Sequence, residues 1–309
     1  MDLEPRRANP ALLFLVRPAF LQGLLSMALF SLLVAILVER LKFLPASWQC
    51  DRVLQSYQSS FFGDKASLNN TNMLLALILP AGVVYLLGWI ASGMFWGVLS
   101  LALWVLVAII CFNHQKQRDT FKKYMQAACR SDVQACYHYA AELDCSECLE
   151  AVSEKDLGAK VGQSVAWINY RYYGAVALCL IFLGPVGAVL YCTARFYAEE
   201  NIRKSLNLPL IEDIMFAFDW LPSRVFSFGY ALSGQFSEGL AAWRNNALNI
   251  NASARQVVTE TALAAQPLPE MSSAPVCVQS TLALLVLSKR NFTLMVAVLS
   301  LLTIFGLVS

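Results

Sequence analysis

An apolar stretch that Gly184-Pro185 interrupts at its centre constrains this 309-residue chain more than any other feature. The runs on either side, 174–183 and 186–194, each have about ten residues, whereas a helix needs about 20 to cross a bilayer. Two interpretations stay open. The stretch is a single span that the proline kinks, or it is a re-entrant pair of half-helices whose irregular backbone must be covered by protein or face water.

Polar side chains flank this broken membrane helix unit, which we place at 173–197. Asn169 and Arg171 precede the first apolar run, and Arg195 ends the second. A charged or amide group near lipid depth needs a partner and often marks a functional site. We therefore expect these residues to belong to a site at the membrane boundary rather than to a solvated surface.

The composition identifies an integral membrane protein. The chain is 58% hydrophobic and only 14% charged, whereas a soluble domain carries about 25% charged residues. Membrane lipids are therefore its expected surroundings. The net charge of +2 and the lack of a basic tail argue against a nucleic-acid partner.

The pattern predicts an all-α, polytopic membrane protein with about four full spans, the broken unit and cytoplasmic helical segments. The four spans are 27–38 completed by 19–26, 73–90, 94–112 and 292–308. The predicted parts are an N-terminal extension (1–26), a membrane hairpin region (27–112) with a cytoplasmic loop (39–72), a cytoplasmic helical segment (113–172), the broken unit (173–197), a cytoplasmic or interfacial segment (198–288) and a C-terminal transmembrane helix (289–309).

Lys and Arg set the predicted sidedness, because cytoplasmic segments are enriched in both. The uncharged turn at 91–93 goes outside, so that 39–72, 113–172 and 195–288 face the cytoplasm. This requires the broken unit to return to its starting side, which favours the re-entrant interpretation. Three arginines within 1–26 disagree with this topology, and we expect that segment to be dispensable; the alternative is that part of it completes the first span.

The cysteines and histidines give only weak signals. No disulfide framework is recognisable among the nine cysteines, and we expect reduced thiols. Cys145-Ser-Glu-Cys148 has the spacing of a metal-ligand or redox pair, and a zinc site can be drawn with Cys129, Cys136 and His138. Only one pair has ligand spacing, so we favour ordinary thiols and expect no metal and no cofactor. The chain also lacks a phosphate-binding glycine loop.

Asp219 and Arg224 lie on either side of a helix break that Pro222 predicts. In one interpretation they form a capped corner with a salt bridge, and Asp219 and Glu212 neutralise the arginines. In the other, Arg224 points at an anionic ligand, because the guanidinium donors form a fork that suits phosphate or carboxylate. The candidate ligand-binding residues, predicted to share one cytoplasm-facing pocket, are Asn169, Arg171, Asp219 and Arg224.

Several segments resemble the AmpE family of bacterial inner-membrane proteins. They are MALFSLLVAILVERL (27–41), SWQCDRVL (47–54), AWINYRYY (166–173), FDWLPSRVFSFGYALSG (218–234), Trp243 and LLTIFGLV (301–308). The resemblance covers about 27–309 in the same order. It implies an inner-membrane signalling component of the β-lactam response and of β-lactamase induction. Together with the candidate arginines, it leads us to expect an anionic ligand, such as a muropeptide or a phosphate compound, and a protein partner in cell-wall recycling.

AmpE proteins are in turn similar to the CobD/CbiB membrane synthases of cobalamin assembly. The synthases' Glu-x-x-x-Glu-Asn helix falls on 163–168, with the asparagine one place late at Asn169, and their Asn-x-x-Pro-x-Arg corner falls on 219–224. Gln163 and Trp167 stand where the synthases have acids, and an ATP-linked ligase needs carboxylates for Mg²⁺. We therefore predict binding at the membrane–cytoplasm boundary rather than turnover. A membrane synthase with an altered substrate is the alternative.

Overall fold

The computed structural model is 91% helical. It describes the backbone of residues 10–41, 45, 48–61, 70–92, 97–145, 148, 150–204, 208–266 and 276–305, and the side chains in those ranges except at 10–25, 70, 276 and 277. Strands are absent from the described ranges. The predicted turn at 91–93, the first nine residues and the chain end beyond 305 lie wholly or partly outside them.

The described part of the chain forms twelve α-helices and one π-helical turn. In chain order they are α1 (Pro10–Leu41), α2 (Cys50–Phe61), α3 (Asn70–Ser92), α4 (Val98–Phe112), α5 (Gln115–Cys129), α6 (Val133–Glu142), α7 (Glu154–Asn169), the π-helical turn (Tyr170–Gly174), α8 (Ala175–Lys204), α9 (Pro209–Ser233), α10 (Phe236–Ala247), α11 (Ala254–Ala265) and α12 (Val276–Phe305).

The predicted class, an all-α membrane-spanning protein, is confirmed. Among the described residues, four helical stretches are long and apolar enough to cross a membrane: Thr71–Ser92, Val98–Cys129, Glu154–Lys204 and Val278–Phe305. The third contains the broken unit. Helix α1 has 32 residues and runs past residue 26 without a break, so the predicted extension is continuous with the predicted first span.

Helix α8 reverses direction at Gly184, whose backbone has φ 70° and ψ −163°. In a straight helix, Tyr172 and Arg195 would be about 35 Å apart at about 1.5 Å per residue. Instead, the guanidinium carbon of Arg195 lies 4.1 Å from the centre of the Tyr172 ring. The chain therefore forms a helical hairpin with a first arm (175–183) and a second arm (185–204), as the re-entrant interpretation requires.

The hairpin reaches only part of the way along α4. A Cβ atom on Gly184 would lie 3.3 Å from the ring of Trp104, which is near the middle of α4. Near the base of the hairpin, Cys192 lies beside Cys111, at the carboxyl end of α4. Gly184 and Pro185 are buried at the tip, whereas the apolar side chains of Phe182 and Leu183 are exposed, so the irregular backbone is covered by protein, as a re-entrant tip requires.

The hairpin base, the carboxyl ends of α1 and α4, and the start of α2 all lie at one end of the helix bundle. Arg118 of α5 forms a salt bridge with Glu39 of α1. Arg195 donates to Asp51 of α2 over 3.0 Å. The segments rich in Lys and Arg therefore share one face, which we call the basal face. Its position on the cytoplasmic side stays a prediction.

The prediction that Pro222 ends a helix is wrong, because α9 continues through it from Pro209 to Ser233. A proline inside a helix costs about 3 kcal/mol. Packing of α9 against α8, α10 and α11 outweighs this cost. Asp219 therefore lies inside a helix and caps none.

The predicted boundary at residue 289 falls inside α12, which already begins at Val276. The first half of α12 packs along α7 on the basal side. The Thr281 hydroxyl donates to the Gly158 carbonyl over 3.0 Å. Leu284 covers Gly162, where a Cβ atom would approach the leucine side chain to 2.7 Å. Small residues on α7 allow this close approach.

Candidate functional site at the base of the hairpin

Arg195 is the centre of an ionic cluster at the base of the hairpin. Its side chain is 0% exposed, although it carries a full charge. One guanidinium nitrogen, Nη2, donates to Oδ1 of Asp51 over 3.0 Å, and the guanidinium group stacks on the Tyr172 ring. Such partners are required because burying an unpaired charge is very costly.

Glu199 joins two arginines through one oxygen atom. Its Oε1 accepts a hydrogen bond from the Tyr172 hydroxyl over 2.9 Å. The Nε atoms of Arg171 and Arg195 both lie 3.8 Å from the same oxygen, which is too long for a hydrogen bond. We call these five residues the basal cluster: Asp51, Arg171, Tyr172, Arg195 and Glu199.

Three guanidinium nitrogens of the basal cluster have no hydrogen-bond partner among the described residues. They are Nε of Arg171 and both Nε and Nη1 of Arg195. A buried donor without a partner costs about 1–3 kcal/mol, and more for a charged group. The cluster opens towards solvent through Asp51 and Glu199, whose side chains are 31% and 35% exposed. It therefore offers buried, unpaired donors behind an accessible rim.

The charge of Arg195 acts on Asp51. Burial favours the protonated carboxyl and would raise its pKa, but the Arg195 guanidinium outweighs this effect through its charge and its hydrogen bond. The pKa of Asp51 therefore lies below its ordinary value. Asp51 is held as a carboxylate that fastens α2 to the second arm.

The π-helical turn presents neighbouring tyrosines to different elements. Tyr172 faces Arg195 and Glu199 of the second arm, whereas Tyr170 faces α9. A π-helical turn of this kind is often found at functional sites. The turn therefore brings α9 and the second arm to one place.

Asp219 fastens the π-helical turn and the second arm of the hairpin to α9. Its Oδ1 accepts hydrogen bonds from the hydroxyls of Tyr170 and Tyr191, each over 2.8 Å. The two tyrosines precede and follow the reversal at Gly184. Asp219 is thus a predicted site residue that the structure places beside the basal cluster, with two hydroxyl partners of its own.

Arg224 is held by backbone carbonyl groups. Its Nε donates to Ala247 over 3.1 Å, its Nη2 to Asn249 over 2.9 Å and its Nη1 to Trp220 over 2.8 Å. It also stacks on the Trp220 ring. These contacts join α9 to the carboxyl end of α10 and are separate from those of Arg171.

The other predicted residues have partners close by. Asn169 donates through Nδ2 to the Val165 carbonyl of its own helix over 3.4 Å. Glu212, considered as a counter-charge for the arginines, accepts from Asn201 over 3.3 Å. Of the four predicted ligand-binding residues, Arg171 belongs to the basal cluster, Asp219 lies next to it, and the described contacts of Asn169 and Arg224 are made elsewhere.

A polar cavity of about 260 Å³ lies between α1 and α5 on the basal face. Its lining includes Glu39, Asn113, Arg118 and Lys122. It adjoins the hairpin base, because Nε of Arg118 donates to the Tyr173 hydroxyl over 3.3 Å. The Nδ2 atom of Asn113 is buried and has no hydrogen-bond partner among the described residues. The basal face therefore has a second place where a small polar ligand could approach the cluster.

The structure groups three cysteines that the sequence does not connect. Cys50 begins α2, Cys111 is the last residue but one of α4, and Cys192 lies in the second arm. All three are buried, with their sulfur atoms within 4.8 Å of one another. No short spacing motif links them. Asp51 and Glu199 were missed for the same reason: Asp51 lies 144 residues from Arg195, and neither acid stands out locally.

Cys145 and Cys148 form a disulfide, contrary to the expectation of reduced thiols. Their Cα atoms are 5.3 Å apart, within the range that a disulfide needs. The turn between them brings the two side chains together. Both residues are buried in a small core between α5, α6 and α7, away from the basal cluster.

The fold and the site define a polytopic helical membrane protein with a half-membrane hairpin and a buried ionic cluster at its base. The family described as "Regulatory signalling modulator protein AmpE" matches residues 27–309, and the chain belongs to that family. It is similar to "Protein AmpE" of Shigella flexneri, with 28% identity over 295 residues that cover 91% of this chain and 99% of that protein. No solved structure gives a significant match. The predicted resemblance to the AmpE family is confirmed, and the similarity to the synthases stays a prediction.

Proposed function

We propose that this protein is a sensor in the bacterial inner membrane that takes part in the β-lactam response and in β-lactamase induction. In this proposal it binds an anionic ligand at the basal cluster. The family's description as a regulatory signalling modulator supports the general role. The observation that carries the proposal is the set of three buried guanidinium nitrogens without hydrogen-bond partners among the described residues.

The chemistry of these donors favours a ligand with a carboxylate or phosphate group. Two oxygens of such a group match the fork of a guanidinium, and charge-assisted hydrogen bonds are stronger than neutral ones. Arg171 and Arg195 already converge on one oxygen of Glu199, at a distance that leaves room for shorter bonds. A muropeptide supplies a carboxylate of the required kind, and a phosphate compound supplies the same charge.

The contacts of the cluster also give binding a route to a conformational change. An anion that competes for Arg195 weakens the bond from Arg195 to Asp51, which fastens α2 to the hairpin. A ligand shifts a conformational equilibrium only through such a difference in contacts between two states. We infer that α2 moves when the ligand binds, and that a protein partner in cell-wall recycling responds to this movement.

Titration of the purified full chain with a muropeptide, and separately with inorganic phosphate, tests the binding step. We expect Arg171→Lys and Arg195→Lys to weaken binding at least about tenfold, equivalent to about 1.4 kcal/mol, because lysine lacks the fork. Arg130→Lys is the matched control, since Arg130 is exposed at the end of α5. Binding of phosphate alone would identify a simple anion as the ligand. Equal affinity in all variants, or no binding of either probe, would refute the proposal.

The signalling step is tested in cells. Each variant replaces the chromosomal copy in a strain with an inducible β-lactamase, and the enzyme is assayed after exposure to a β-lactam. We expect altered induction with Arg171→Lys and normal induction with Arg130→Lys. Normal induction in a variant that has lost ligand binding would separate binding from signalling and contradict the proposed role.

A further inference from the structure

Three buried cysteines meet beside the basal cluster without forming a disulfide. Cys50, Cys111 and Cys192 come from α2, α4 and the second arm, and their side chains point to one centre with all sulfur atoms within 4.8 Å of each other. Their exposed fractions are 6%, 1% and 0%. Single buried thiols are ordinary packing residues, but three that converge from separate elements form a possible set of metal ligands.

The spacing of the sulfur atoms fits a three-coordinate metal ion. A metal–thiolate bond is about 2.3 Å long, so three sulfurs in a plane around one ion lie about 4.0 Å apart. The observed limit of 4.8 Å requires only a small contraction to reach this geometry. A disulfide needs sulfurs about 2.05 Å apart, and could join only two of the three.

The neighbouring charges suit a site that carries net negative charge. Arg195 lies one turn after Cys192 on the same arm, is fully buried, and has two guanidinium nitrogens without partners among the described residues. Three thiolates and one monovalent cation carry a net charge of −2. Arg195 therefore supplies a positive charge where the site needs one. In return, the negative charge of the site would offset the cost of burying the unpaired donors of Arg195.

The ligand set distinguishes between soft metals. Zinc in structural sites takes four ligands in a tetrahedron, whereas this group of described residues contains three ligand atoms, all sulfur. Thiolates without oxygen or water ligands select Cu(I). We propose that Cys50, Cys111 and Cys192 form a buried binding site for one Cu(I) ion, which ties α2 and α4 to the second arm of the hairpin.

Binding converts three thiols to thiolates and releases up to three protons, with no change in the oxidation state of copper or sulfur. The ligands of the site are thiolates rather than guanidinium groups, so the metal ion does not occupy the place of the proposed anionic ligand, although Arg195 serves both sites. The metal site nevertheless joins α2 to the second arm, as the basal cluster does, and adds α4 to them. A bound ion would therefore keep α2 on the hairpin even when the Arg195–Asp51 bond is weakened.

The test is a Cu(I) titration of the reduced full chain against a colorimetric Cu(I) chelator. All proteins carry Cys145→Ser and Cys148→Ser, which remove the other cysteine pair. We expect one equivalent of Cu(I) to be retained after gel filtration. Cys50→Ser, Cys111→Ser and Cys192→Ser should each weaken binding about 100-fold or more, since loss of even an outer-shell partner costs 10–100-fold. Cys179→Ser, in the first arm and also buried, is the matched control and should bind as before.

X-ray absorption of the copper-loaded parent protein gives a readout that does not depend on the variants folding. We expect three sulfur neighbours at about 2.3 Å. Nitrogen or oxygen neighbours, no retained copper, or unchanged binding in a correctly folded Cys192→Ser protein would overturn the proposal. A disulfide between any two of the three cysteines in freshly isolated protein would also overturn it.

Discussion

At the scale of single residues, Arg224 is expected to stabilise the protein rather than to bind the ligand. Its guanidinium group reaches carbonyls of Trp220, Ala247 and Asn249 in different directions. A lysine ammonium cannot satisfy all three, so Arg224→Lys should lower the free energy of unfolding by about 1–3 kcal/mol. Thermal unfolding of the purified protein measures this loss. Arg244→Lys, at an exposed position on α10, is the control and should change little.

The same variant separates this role from the one that the sequence predicts. If Arg224→Lys unfolds at the normal temperature but no longer binds the anion, Arg224 is a ligand-binding residue after all. If it binds normally and is less stable, the carbonyl contacts account for the residue. Thermal unfolding and anion binding of Arg224→Lys therefore together decide whether Arg224 stabilises the fold or binds the ligand.

Asp51 gives a pH-dependent prediction. Its pKa is lower in the folded protein than in the unfolded chain, so ionised Asp51 stabilises the fold above its ordinary pKa of about 4. This contribution is lost as the pH falls through the lowered pKa. Wild type should therefore be more stable than Asp51→Asn at neutral pH, and the difference in melting temperature should shrink as the pH is lowered from about 5 to about 3. A difference that stays constant over this range would show that Asp51 does not stabilise the fold as a carboxylate.

Sequence reasoning predicts that an arginine at the membrane boundary has a partner, but it does not identify the partner. The cost of burying a guanidinium is general, and it applies equally to Arg171, Arg195 and Arg224. The partner of each arginine depends on tertiary packing. Carboxylates from α2 and α8 lie beside Arg171 and Arg195, whereas backbone carbonyls at the end of α10 bind Arg224. The aspartate nearest in sequence to Arg224, Asp219, serves two tyrosines instead.

At the scale of the helix, Gly184 makes the hairpin possible. Its φ of 70° and ψ of −163° lie in a region that is essentially restricted to glycine. Gly184→Ala should therefore cost about 1–3 kcal/mol of stability, and the added Cβ would press on Trp104. Gly82→Ala is the matched control in α3, because nothing lies within 4 Å of its Cβ position. Alanine favours a helix there, so this control should unfold at the same temperature or higher.

A tolerated Gly184→Ala would show that the backbone can reverse without this conformation. Retention of the Arg195–Asp51 contact can be followed in the same variant by the pH dependence described above. A protein that keeps its melting temperature and its pH dependence would contradict the assigned role of Gly184.

Two of the prolines that lie inside helices, Pro185 and Pro222, show what could be predicted about the elements. Both Pro185 and Pro222 predict a break, but only the first marks one. Pro185 follows a glycine that can adopt a positive φ, whereas Pro222 follows Leu221, which cannot do so without strain. Packing then decides: α8, α10, α11 and α12 all pack against α9, which continues through Pro222, and no local pattern reveals these contacts.

At the scale of the whole molecule, the basal face is predicted to be cytoplasmic. Cys129, at the end of α5, is exposed on that face. A membrane-impermeant maleimide should leave it unmodified in intact spheroplasts and label it after permeabilisation. Ser92→Cys in a cysteine-free protein provides the matched site, because Ser92 is exposed at the opposite end of α3. The reverse pattern of labelling would place the basal face outside.

The contact between α7 and α12 has a consequence for how the protein is made. Thr281 bonds to Gly158, 123 residues earlier in the chain. At 5–20 residues per second, the ribosome needs about 6–25 s to synthesise that interval. Throughout this time the side of α7 that carries Gly158 and Gly162 has no α12 to cover it, although both arms of the hairpin have already been synthesised. Insertion of the last helix therefore also completes the packing of α7, and a nascent chain that stalls before residue 276 leaves that surface uncovered.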